Sequence, residues 1–342
     1  QTHELATEIL ISNILACFKQ PFDVKDENIN QSASVGVALY PDDGKTGEEL
    51  FTNAHVAVNQ AKRSGRYTYT YFSEKYNEEA HNHLHMENQL GQAIEKGELS
   101  IVCQPKIDVK SGEFLGAEAL LRWFNSDLGS VPPDQFIPLA EETGMILSIG
   151  RWVINESCRQ ACLWRKAGYE NFTIAINMSP KQFLDEDIVP FIKNCLKTYS
   201  LEGNQVEIEV TEGLFLEGGE AIDLQISALK EVGISLALDD FGTGYSSLQY
   251  LRNYPFDILK IDRSFIKELP ESKGDVSLVR AMTAMGRALE MKVVAEGVEE
   301  QNQADFLKAE GCDIFQGYLF GKPMSENDFM AWLMLFNSTG SS

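Results

Sequence analysis

From about Leu99 to Phe336, short apolar runs alternate with amphipathic helical stretches. Strands are predicted at Ile101–Cys103, Phe114–Leu121, Phe172–Ile176, Val206–Val210, Ile234–Leu238, Asp257–Ile261, Met291–Ala295 and Cys312–Tyr318. Ile222, Ile226 and Leu229 form a helical stripe that stops at Gly233, and a second helix over Ala304–Lys308 stops at Gly311. Glycine is favoured just past a helix end because it adopts left-handed backbone without strain. Eight strands separated by helices over roughly 240 residues match the size of a (β/α)8 barrel.

The N-terminal part has a different rhythm. Residues 1–72 read as helix (Glu4–Phe18), strand (Ser32–Tyr40), helix (Gly47–Arg63) and strand (Tyr67–Phe72), a small α+β segment too short for a large core of its own. Pro41-Asp42-Asp43-Gly44 reads as a turn, and Thr46 as the cap of the helix after it. Residues 73–98 are polar, with Met86, Leu90 and Ile94 at helical spacing, and predict a connecting helix. The expected organisation is 1–72, 73–98, a barrel over 99–336 and a flexible polar tail over 337–342.

Each barrel strand carries a polar group at or near its C-terminal end: Gln104, Glu118, Asn177, Glu209, Asp239 with Asp240, Lys260 followed by Asp262, Glu296, and Gln316. Parallel barrels keep their chemistry at that end. Singly these residues have ordinary readings, Glu118 as a surface acid and Asn177 before Ser179-Pro180 as a turn former. Lys260 inside an apolar strand is harder to place without a counter-charge. Together, the carboxylates of Glu118, Glu209, Asp239, Asp240 and Glu296 would repel one another unless cations intervene. The absence of His and Cys from the set selects Mg2+ or Mn2+ over Zn2+. Two such cations are the usual apparatus for in-line displacement at phosphorus.

Composition narrows the partners. The chain has 342 residues, 29 basic against 51 acidic, and a formal charge of −22. No basic stripe offers a nucleic-acid polymer its phosphate contacts. The longest apolar run, Phe329–Phe336, is far short of the roughly twenty residues that span a bilayer, so no membrane contact is expected from this fragment. The chain opens at Gln1 with no signal-peptide pattern and reads as a fragment whose parent can carry an anchor upstream. Six scattered cysteines without a C-x-x-C pair fit a reduced, cytoplasmic setting.

The motifs resemble the EAL family of cyclic di-GMP phosphodiesterases. The resemblance rests on Glu118-Ala-Leu-Leu-Arg-Trp123, Phe136-Ile-Pro-Leu-Ala-Glu141, Asn177-Met-Ser179, Glu209-Val-Thr-Glu212 and Asp239-Asp-Phe-Gly-Thr-Gly244. It continues through Lys260-Ile-Asp262, Ala295-Glu-Gly-Val-Glu299 and Gln316-Gly-Tyr318. It implies a TIM-like barrel in which one early strand runs antiparallel. It also implies hydrolysis of cyclic di-GMP to linear pGpG with two Mg2+ or Mn2+, Ca2+ binding but supporting little turnover. By this resemblance Glu118, Asn177, Glu209 and Asp239 hold one metal, and Asp239 with Asp240 serves the second. Glu296 and Gln316 position the attacking water, Lys260 contacts it, and Asp262 matches the acid of the same motif. Gln104, Leu121 and Arg122 match positions that contact the dinucleotide, and Glu299 one near a guanine. Residues 240–247 resemble a loop that couples the second metal to homodimerisation through the barrel, and Glu212 its anchor.

Residues 1–72 resemble the C-terminal part of a diguanylate cyclase (GGDEF) domain through Ala33–Pro41, Asn53-Ala54 and Ala61–Arg66. The motif that names that domain is missing from this chain, so no cyclase activity is expected here. The rival from another class is a receptor that binds cyclic di-GMP without cleaving it; the complete ligand set argues against it. A Schiff-base aldolase built on Lys260 is disfavoured because the surrounding carboxylates would hold the amine protonated.

Overall fold

Strand and helix alternate through the larger part of the chain as its apolar pattern requires. The structure, a computed structural model, describes residues 2–19, 22–24, 27–29, 31–63, 68–214, 219–242 and 248–339. The chain divides into two compact units, Gln1–Asn88 and Gln89–Ser342.

In the first unit, a helix at Thr2–Cys17 precedes β1 (Phe22–Val24) and β2 (Glu27–Ile29), which pair antiparallel. Neither was foreseen, because three-residue strands carry too little alternation to register. The foreseen strands appear as β3 (Val35–Val37) and β4 (Tyr69–Tyr71), which pair parallel. The helix Gly47–Arg63 connects them and buries Ala57 and Ala61. The helix Glu74–Leu90 ends in turns over 91–97, short of the continuous helix expected there.

In the second unit, β5 (Leu99–Asp108), β6 (Phe114–Asn125), β8 (Thr173–Asn177), β9 (Val206–Thr211), β10 (Ser235–Phe241), β11 (Ile258–Ile261), β12 (Lys292–Ala295) and β13 (Ile314–Gln316) close into a barrel. The short β7 (Gly129–Val131) extends β6 as a hairpin. Six neighbouring pairs are parallel, and β5 alone runs antiparallel to both β6 and β13. The predicted helical stripe lies on Glu220–Glu231, with Ile222, Ile226 and Leu229 buried; the helix Gln301–Glu310 stops at Gly311, whose backbone is left-handed. Cys158 and Cys162 are core thiols on the helix Ile146–Lys166.

Two strand-end expectations need correction. Gln104 and Glu118 lie in mid-strand and face each other across the β5–β6 ladder. Because β5 is reversed, Gln104 meets the mouth from the other direction, while β6 runs on past the rim to pair with β7.

Side-chain alternation stacks the interior in layers. The mouth layer is polar; one strand period beneath it Ala237, Ile258, Val294 and Ile314 form an apolar layer. Gly116 belongs to that lower layer, where β6 and β8 approach so closely that a Cβ would lie 1.9 Å from the Thr173 carbonyl oxygen. Gly116→Ala is therefore expected to destabilise the barrel by about 1–3 kcal/mol or more through forced backbone displacement. A thermal melt checks this, and an unchanged melting curve would contradict the close approach.

Candidate active site

The polar layer is organised around one ammonium. Lys260 on β11 is fully buried. Its Nζ lies 2.6 Å from Glu209 Oε2, 2.7 Å from Glu296 Oε1, 3.0 Å from Asp239 Oδ1 and 3.7 Å from Glu118 Oε2. Three strands and the turn after a fourth thus aim carboxylates at the cation carried by β11. Burial would depress the lysine, but Asp239, Glu118, Glu209 and Glu296 raise its pKa well above the ordinary value. Four carboxylates within ion-pair distance favour the charged amine and so disfavour the Schiff-base alternative, which needs it neutral.

The carboxylates diverge in their protonation. Burial raises Glu118, Asp239 and Asp240 above the usual carboxylate range, and neighbouring acids add to the rise. Burial also pushes Glu296 up to about 8, against the pull of Lys260. Burial would raise Glu209 too, yet Lys106 and Lys260 overcome it and hold that carboxyl well below its ordinary value. The ring therefore sets one acid, Glu209, whose ionised form two lysines favour, against several whose ionisation burial and neighbouring acids oppose.

Local backbone geometry brings the adjacent acids together. Successive residues in a regular strand face opposite sides. Asp240 escapes this with φ of 52°, and the β10–β11 register shifts between Leu238 and Phe241. The irregularity lets oxygens of Asp239, Asp240 and Glu296 gather within 4.8 Å of one another. Oxygens of Glu118, Glu209 and Asp239 form a second such group. Bulges are favoured beside active sites because they re-aim a side chain in this way.

Amides set the rest of the ring. Asn177 Nδ2 donates to Glu118 Oε1 at 2.6 Å, and Gln316 Nε2 donates to Glu118 Oε2 at 2.6 Å and to Gln104 Oε1 at 3.2 Å. The Gly242 N–H donates to Glu212 Oε1 at 3.0 Å, tying the start of the following loop to the residue after β9. Residues 243–247 of that loop lie outside the described residues. A cavity of about 380 Å3 opens beside the ring, where Leu121, Ile137, Ile149 and Met178 supply apolar walls and Arg122 and Asp240 polar ones.

Two expected residues stand apart. Asp262 caps the helix Arg263–Ile266, its Oδ1 accepting from the Ser264 N–H at 2.9 Å, although its charge still raises Asp240. Glu299 is exposed, and its N–H donates to Gln303 Oε1. Sequence reasoning also missed a pair. Lys106 on β5 and Glu207 on β9 are buried beneath the ring, with Lys106 Nζ 2.8 Å from Glu207 Oε1 and 2.6 Å from Glu209 Oε1. Strand alternation was the available signal, since Lys106 shares a face with Gln104, and Glu207 with Glu209.

A donor set made of carboxylates and amides suits a hard cation, and the crowding of acids about Lys260 calls for more positive charge than one lysine supplies.

The EAL domain model matches residues 87–323, and the model for the diguanylate cyclase GGDEF domain matches residues 1–68. The bifunctional diguanylate cyclase/cyclic di-GMP phosphodiesterase MucR of Pseudomonas aeruginosa is 41% identical over 94% of this chain and 47% of its own length. The cyclic di-GMP phosphodiesterase PdeR of Escherichia coli is 37% identical over 97% of this chain and 50% of its own. The chain thus spans about half the length of these relatives. Among solved structures, the PaMucR phosphodiesterase in complex with c-di-GMP superposes with a TM-score of 0.68 and 42% identity, covering 72% of this chain and 99% of that one. The chain belongs to the EAL domain family of cyclic di-GMP phosphodiesterases.

Proposed function

We propose that this chain hydrolyses cyclic di-GMP to linear pGpG with two divalent cations, Mg2+ or Mn2+. The observation that carries the reading is the ring of Glu118, Glu209, Asp239, Asp240 and Glu296 gathered at the barrel mouth. Glu118, Asn177, Glu209 and Asp239 would hold one cation, and Asp239 with Asp240 and Glu296 the other. When bound, the pair supplies Lewis-acid stabilisation of the charge that develops on the attacking and departing oxygens.

The chain's own groups do the rest. Lys260 offsets negative charge beside the attacked phosphorus and orients the incoming water, with Glu296 and Gln316 on either side of it. Arg122 and Gln104 hold the dinucleotide, Leu121 lends it apolar contact, and Glu299 reaches a guanine at the rim. Asp262 acts through Asp240, whose carboxyl it already raises. Glu212 holds the loop after β10 through Gly242, and in this reading that loop links the second cation site to a homodimer contact. Retention of every proposed ligand favours catalysis over a purely receptor role.

Three outcomes are expected. Incubation with cyclic di-GMP and Mg2+, followed by chromatography, should yield pGpG; excess EDTA should abolish it, and Ca2+ should bind with little turnover because it tolerates looser coordination. Undiminished turnover in EDTA contradicts the reading. Lys260→Met should lower kcat by orders of magnitude while cyclic di-GMP still binds in Ca2+ by calorimetry, the pattern of an interaction made chiefly in the transition state. Unchanged kcat removes Lys260 from the mechanism.

The third outcome concerns pH. Glu296 has a folded pKa raised to about 8, so its stabilising share is complete below the ordinary carboxylate range and is lost as pH rises through about 8. A cation must displace that proton, so Mn2+ affinity should rise with pH up to about 8, by as much as about tenfold per unit for one proton. Glu296→Gln should flatten this dependence in Mn2+ titrations; an unaltered slope assigns the proton elsewhere.

A further inference from the structure

The layer beneath the mouth is apolar on four strands, with Ala237, Ile258, Val294 and Ile314, and small at Gly116 and Ala175. Lys106 and Glu207 interrupt it. Their residues are only 4% and 3% exposed, so both charges are out of reach of bulk water. Replacing a buried ion pair with apolar groups of similar volume is often neutral or stabilising, so its presence here asks for another reason. The contacts supply one. Lys106 Nζ reaches past Glu207 to Glu209 Oε1 at 2.6 Å, while Lys260 holds Glu209 Oε2 at 2.6 Å. Glu209 is clamped between two ammoniums, one below and one in the ring.

The geometry points to Lys106 as a positioning residue for the cation site. It fixes the rotation of the Glu209 carboxylate so that Oε2 stays on the side of Asp239 and Glu118. Glu207 is its counter-charge, 2.8 Å away, and keeps the Lys106 ammonium in the lower layer. The reversal of β5 makes this possible, since Gln104 then enters the mouth layer and Lys106, two residues on, the layer below. The inference rests on the metal reading of the ring for its cation.

Positioning and bulk charge predict opposite signs. Removing one positive charge from an acidic site tightens cation binding if charge alone matters. Losing a residue that orients a ligand weakens it, by about tenfold or more. The test measures Mn2+ binding by electron paramagnetic resonance on the full chain. Lys106→Met is expected to weaken binding by about tenfold, and equal or tighter binding overturns the inference.

If that variant does not fold, two double variants of equal charge decide. Glu207 and Glu209 both lie against the Lys106 ammonium, at 2.8 and 2.6 Å, and so beside one another. Lys106→Met with Glu207→Gln retains a donor for Glu209, whereas Lys106→Met with Glu207→Leu does not. The first is expected to bind Mn2+ about tenfold more tightly than the second; equal affinities overturn the inference. Hydrolysis is not the readout. A wild-type chain that binds Mn2+ but leaves cyclic di-GMP intact ends the proposed function and leaves this assignment standing, and one that binds no Mn2+ ends both.

Discussion

Acids gathered inside a low-dielectric mouth cannot all ionise unless positive charge stands among them. Lys260 supplies that charge within the barrel. Its ammonium lies within ion-pair distance of four carboxylates from three other strands and a strand-end turn, and the arrangement of β6, β9, β10 and β12 is legible as their approach to it. Removing one partner of such a buried set leaves uncompensated charge and costs several kcal/mol. One lysine still does not balance five acids, an imbalance that divalent cations would relieve.

Backbone irregularity is as much part of the site as the charges. A uniform parallel barrel would face Asp239 and Asp240 to opposite sides of β10; the left-handed backbone at Asp240 lets the two share a cluster. An unreversed first strand would send Gln104 and Lys106 to exchanged depths. Both departures occur next to residues of the acidic ring, and local rules are most often set aside at functional sites.

The strand sequence and most of the ring could be read from the amino acids because each signal repeats around the barrel. Their place at or near the ends of short apolar runs located Glu209 and Lys260, and glycine closures located the helix ends. The reversal of β5 came from resemblance alone, since antiparallel and parallel strands share the same side-chain period. Lys106 and Glu207 escaped notice because attention to strand ends passes over polar residues one layer deeper. Asp262 carries a second signal that its sequence position also allowed: a carboxylate two residues past Lys260 suits a helix N-cap, and it accepts the Ser264 N–H there. Glu299 follows β12 in a polar run, and there it is exposed with its N–H on Gln303.

The central claim is that these carboxylates form a two-cation site, and anomalous diffraction from crystals soaked in Mn2+ tests it directly. The account predicts two peaks at the barrel mouth, one touching Glu118, Asn177, Glu209 and Asp239 and the other touching Asp239, Asp240 and Glu296. Fully occupied Mn2+ elsewhere on the chain, with the ring still closed around Lys260 alone, would contradict it.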